Sequence, residues 1–122
     1  FLGAENILEG EILDCVGGLA LVRVQGVELE APCNLPPGSE AKVLIHPEDI
    51  LIVVDGMDRG SARNHLQARI TQVSVMGAVA RIGLDCGFPL VAYVTLASTE
   101  ELGLEPGKQV TAVIKATSIY VM

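Results

Sequence analysis

Arg63 and Lys115 sit among small and hydroxyl-bearing residues, in the stretches Ser61-Ala62-Arg63-Asn64 and Lys115-Ala116-Thr117-Ser118. A third stretch, Thr95-Leu96-Ala97-Ser98, carries hydroxyls without charge and leads into a short helix-like segment. Cations, hydroxyls and backbone N–H groups are the donors that grip a tetrahedral dianion when they converge. The N-terminus of a helix supplies such N–H groups with no side-chain charge at all. Spacing alone does not join the three segments. A charge on a small β-module is usually only solvated, so plain surface drift accounts for the same residues.

Other chemistries fit poorly. Pro106-Gly107-Lys108-Gln109 resembles a phosphate loop only superficially. Gly103 and Gly107 are one residue too close, and Gln109 stands where a Ser or Thr would hold a magnesium ion. No Ser, His and Asp set for nucleophilic catalysis is recognisable. Glu48-Asp49 and Glu100-Glu101 read as solvated or capping carboxylates. Cys15, Cys33 and Cys86 are odd in number and lack a Cys-x-x-Cys, which reads as reduced, partly buried thiols. With only His46 and His65 to add, a zinc site is not expected. No catalytic residues, metal or cofactor are assigned.

The elements that must position these segments are strands. Val27 to Ala31, Ala41 to Ile45, Ile50 to Val54 and Val110 to Lys115 are short β-type runs. Gly17-Gly18, Gln25-Gly26, Gly77 and Gly87 punctuate them as hairpin glycines. The chain also repeats itself. Residues 4–12 align with 62–70 at an offset of 58, whereas Pro37-Gly38 aligns with Pro106-Gly107 at an offset of 69. The second copy therefore holds 11 extra residues, most of them placed around 98–104. There, Ser98 with Glu101 reads as a capping box and Gly103 as a helix stop. The expected fold is all-β: two tandem OB-like antiparallel five-stranded barrels, over 1–57 and 58–122, with one helical turn near 98–103.

Composition narrows the partners. Half of the 122 residues are apolar but aromatics are only 3%, so the core must be aliphatic. The net charge of −7 argues against nucleic acid and anionic membranes. No apolar run approaches the ~20 residues of a membrane helix, and no signal peptide is visible. The chain begins at Phe1, which suggests a piece of a longer protein. The charge is unevenly divided: residues 1–58 set two cations against eleven carboxylates, and residues 59–122 set six against four. At repeat-equivalent positions Glu5 becomes Arg63 and His46 becomes Lys115. Modules of about 60 residues are marginal alone, so the halves should lean on each other or on a second chain.

Taken together, Ser61-Ala62-Arg63-Asn64, the run Ser98-Thr99-Glu100-Glu101-Leu102-Gly103-Leu104 closing on Pro106-Gly107, and residues 110–118 resemble the MOP or molbindin family. The first half, through residues 1–6 and Ile45-His46-Pro47-Glu48-Asp49-Ile50, resembles a TOBE module, the domain that follows the nucleotide-binding domain in ABC importer ATPases. His46 stands where an Arg is common, and Ala116 where some relatives place a Ser. The resemblance implies paired OB-like barrels and a ligand, molybdate or tungstate, held between modules of a dimer. It carries the anion contacts onto Ser61, Arg63, Thr95, Ala97, Ser98 and Lys115. It implies partners too: a second copy, a nucleotide-binding domain that would carry the ATP chemistry, and a membrane permease subunit. The setting would be the cytoplasmic face of the plasma membrane. Two functions follow from it. One is a regulatory module that senses the oxyanion. The other is a dimerisation and coupling domain with a vestigial site.

Overall fold

The computed structural model describes residues 6–54 and 64–122. In chain order the strands are β1 (Ile7–Val16), β2 (Leu19–Val24), β3 (Val27–Pro32), β4 (Glu40–Ile45), β5 (Leu51–Val53), β6 (Asn64–Met76), β7 (Val79–Asp85), β8 (Pro89–Thr95), β9 (Gln109–Ile114) and β10 (Ile119–Val121). The one α-helix among the described residues, α1 (Leu96–Leu102), links β8 to β9. The fold is the expected all-β one, with two curled five-stranded antiparallel sheets and one helix.

Each half opens with a long strand paired to a hairpin. The β1–β2 hairpin turns on Gly17 and Gly18, both at positive φ, where a side chain would be strained. Alternation does the rest: β4 buries Ala41, Val43 and Ile45 and turns Glu40 and Lys42 to solvent. Both long strands carry a bulge at the same repeat position, between Ile12 and Asp14 in β1 and between Ile70 and Gln72 in β6. Bulges bend a strand, and here they help curl each sheet over the shared core. Gly10 permits a close β1–β2 approach, because a Cβ there would sit 2.9 Å from Val22 Cγ1 and 3.0 Å from the Arg23 carbonyl oxygen.

The halves divided near residue 57 exchange their last strands. β5 pairs with β9, matching Leu51 to Val113, and β10 pairs with β4, matching Ile119 to Ile45. The first sheet thus runs β10-β4-β1-β2-β3 and the second β5-β9-β6-β7-β8. One continuous core results, from Ile12, Val22, Leu29 and Val43 through Ile70, Ile82, Leu84 and Ile114. The boundary expected between residues 57 and 58 lies outside the described residues.

Two buried asparagines bind the halves together. Asn6 Nδ2 donates to the Val91 carbonyl at 2.7 Å, and Asn6 Oδ1 accepts from Val91 N–H at 2.7 Å. Asn64 does the same with Glu30: its Oδ1 accepts from Glu30 N–H at 2.7 Å and its Nδ2 donates to the Glu30 carbonyl at 3.0 Å. Each amide imitates one rung of a β-ladder, placed between the halves.

Candidate functional site

The helix start differs from the expected capping box. Thr95, not Ser98, is the N-cap, and its Oγ1 accepts from Ser98 N–H at 3.0 Å. β8 runs straight to Thr95, which keeps extended φ and ψ and so presents its hydroxyl to the first turn. Thr95 Oγ1 also lies 2.9 Å from Ser98 Oγ. Two hydroxyls sharing one mutual bond leave one O–H proton to donate elsewhere. Ala97 sits between them, exposed, with only a methyl group and its backbone to offer. At the other end Gly103 takes the left-handed conformation expected of a helix stop, at φ 64°. Lys108 Nζ donates to the Leu102 carbonyl at 2.9 Å, placing a cation on the helix C-terminus.

Lys115 follows β9 and is exposed. It precedes a 3-10 turn over Ala116–Ser118, and its carbonyl accepts from Ser118 N–H at 2.9 Å. Among the described residues no carboxylate pairs with its ammonium group. His46 holds the same place in the first half, before a turn over Pro47–Asp49. The backbones agree closely, φ −71° and ψ 132° at His46 against −68° and 142° at Lys115. What differs is the side chain: the His46 ring packs edge-on against Tyr120, with centroids 5.7 Å apart. The repeat has kept the scaffold of this position and changed its charge.

The register separates the candidates. Thr95 pairs with Val79, which pairs with Met76 at the far end of β6. Lys115 follows Ile114, which pairs with Asn64 at the near end. An extended strand rises about 3.3 Å per residue, so roughly 40 Å of β6 lies between the two groups before bending. The structure brings Thr95, Ala97 and Ser98 together and sets Lys115 apart from them. Ser61 and Arg63 lie outside the described residues.

Nor does a shallow hollow of about 570 Å³ on the outer face of the first sheet involve these positions; Glu9, Gly10, Glu40, Lys42 and Met122 help to line it. The Cys86 thiol is buried and donates to the Phe88 carbonyl at 3.4 Å; burial first, then the nearby Asp85 charge, pushes its pKa up and outweighs backbone hydrogen bonding that favours the thiolate. It is a packed thiol rather than a reactive one.

Sequence reasoning missed the role of Asn64. A signal was present: Asn6 and Asn64 stay identical at the repeat offset while their neighbours change from Glu5 to Arg63 and from Ile7 to His65. A polar residue kept between changing neighbours marks a bond that the fold requires.

Comparison with known proteins agrees with this architecture. The family model of the TOBE domain matches residues 60–121, and the chain belongs to that family. Over 122 residues the chain is 36% identical to the molybdate/tungstate import ATP-binding protein WtpC of Pyrococcus horikoshii, covering 99% of this chain and 33% of the relative. It is 34% identical over 106 residues to the molybdenum import ATP-binding protein ModC 2 of Azotobacter vinelandii, covering 83% of this chain and 29% of that one. The chain thus spans about a third of the length of these relatives. Among solved structures, the cytoplasmic molybdate-binding protein ModG with molybdate bound superposes with a TM-score of 0.80 at 26% identity, over 95% of this chain and 94% of that one. A molybdate-binding protein from Sporomusa ovata matches with a TM-score of 0.51 at 38% identity, over 53% of this chain and 98% of that one.

Proposed function

We propose that the chain is the C-terminal regulatory part of the ATP-binding subunit of an ABC importer, and that it binds molybdate or tungstate to sense the transported ligand. The chain itself is a binding module; ATP chemistry belongs to the remainder of such a subunit. The whole subunit would act at the cytoplasmic face of the plasma membrane, alongside a permease. The relatives named as import ATP-binding proteins and the molybdate-binding neighbours support this reading.

The observation that carries the site is the separation along β6. Thr95 and Ser98 offer hydroxyls at one end, and Lys115 offers an exposed cation at the other, with no carboxylate partner among the described residues. Neither group alone encloses a dianion. A second copy that brings its Lys115 to the first copy's Thr95 and Ser98 does, and two-fold symmetry would then build two equal sites. Ser61 and Arg63 are proposed to complete them.

A thermal melt with sodium molybdate, tungstate, sulfate and phosphate tests this. Ligand at 100 times its dissociation constant adds about 2.7 kcal/mol, which raises the midpoint by roughly 10 °C. The expected rise comes with molybdate or tungstate and not with sulfate. One observation favours a second reading, a coupling domain with a vestigial site: Thr95 Oγ1 is already engaged as a helix cap. That reading predicts a stable dimer whose midpoint no oxyanion moves.

A further inference from the structure

The strand exchange gives the Lys115 position an unusual set of attachments. Ile114, just before it, has its carbonyl 3.3 Å from Asn64 Nδ2, and the same amide holds both backbone groups of Glu30 in β3. Just after it comes a single 3-10 turn whose Ala116 is buried. The chain then enters β10, which lies in the first sheet. There the Met122 N–H donates to the Lys42 carbonyl at 3.0 Å and Lys42 N–H donates to the Met122 carbonyl at 2.8 Å. Lys115 is therefore flanked on both sides by bonds to the other half of the molecule, one set to β3 and one to β4. On the Thr95 side the corresponding tie, Asn6 to Val91, lies four residues back in β8, and α1 itself bonds within the second half through Leu96 N–H to the Ala78 carbonyl.

We infer that the first, acidic half is the readout of the anion site: ligand held at Lys115 tightens β3 and β4 through the Asn64–Glu30 amide bonds and through β10. This rests on the oxyanion reading and adds its direction of transmission. Close-packed interiors pass on displacements rather than absorbing them. The coupling is also reciprocal, so whatever loosens the first sheet must weaken the ligand by the same factor. Asn64 is then a positioning residue. It does not touch ligand, but it fixes the carbonyl that precedes Lys115.

Amide hydrogen exchange on the 122-residue chain, with and without saturating sodium molybdate, tests this. The expected result is slower exchange at Glu30 and Lys42 by at least about fivefold, the lower end of ordinary site-to-site coupling. In Asn64→Ala the response at Glu30 and Lys42 should shrink, and molybdate affinity, measured by calorimetry on the same samples, should fall by a matching factor. Should that variant fold poorly, Met122→Pro serves instead, since proline has no N–H for the Lys42 carbonyl while its own carbonyl remains for Lys42 N–H. It should reduce the response at Lys42 and weaken molybdate together. Molybdate binding with slowed exchange confined to residues 64–118 overturns the inference and leaves the oxyanion reading standing. Calorimetry showing no molybdate binding overturns both.

Discussion

At the scale of single residues, Thr95 and Lys115 should separate stability from binding. Thr95 caps α1 in this structure, so Thr95→Ala should cost about 1 kcal/mol of stability, read as a lower denaturant midpoint without ligand. Lys115 is exposed and unpaired among the described residues, so Lys115→Ala should leave that midpoint nearly unchanged. Losing a charge-assisted bond should nevertheless weaken molybdate about 10- to 100-fold by titration calorimetry. Cys86 gives a further check. Its pKa is raised, so the folded chain holds the thiol proton longer than the unfolded chain does. Stability from this group is intact below the ordinary thiol value of 9.0 and declines as pH rises from there to the raised value. A timed thiol-reagent titration at pH 8 should find Cys86 the slowest of the three cysteines. Fast, uniform labelling would contradict its placement.

At the scale of elements, much was legible. Short β-type runs between turn signals gave β3, β4 and β5 of the first half nearly to the residue, as with Val27–Pro32 and Glu40–Ile45, whereas β1 and β2 were not delimited. The repeat placed the extra helix, and Gly103 marked its end. The helix start was misread because Ser98 and Glu101 fit a capping pattern as well as Thr95 does. Only the path of β8, which ends at Thr95, decides between them. The strand exchange left no mark in the sequence. β5 and β10 are three-residue strands, and a three-residue apolar run pairs equally well with either sheet. The bent β1–β2 contact makes its own prediction. A side chain at Gly10 must push against Val22 and the Arg23 carbonyl, so Gly10→Val should cost about 1–3 kcal/mol in a urea melt. A neutral result would show that the first sheet is more open than its register implies.

At the scale of the whole molecule, the exchange makes the chain one unit. Each sheet is completed by the other half's strand, and each half is tied across by a buried asparagine. The candidate site is only partly legible on this scale. The sequence pointed to the hydroxyl and cation positions, and the resemblance placed the ligand between modules of a dimer. The register adds that Thr95 and Lys115 belong to opposite ends of β6, the arrangement on which the proposed sharing between copies rests. The most direct measurement is a complementation titration. Chains carrying Lys115→Ala are mixed in equal amounts with chains carrying Thr95→Ala and Ser98→Ala, allowed to exchange subunits, and titrated with sodium molybdate. Each variant alone should bind weakly. The mixture should recover about a quarter of the wild-type capacity, because half the dimers are mixed and each holds one intact site. Recovery of nothing, from variants shown to form mixed dimers, would contradict a site shared between copies.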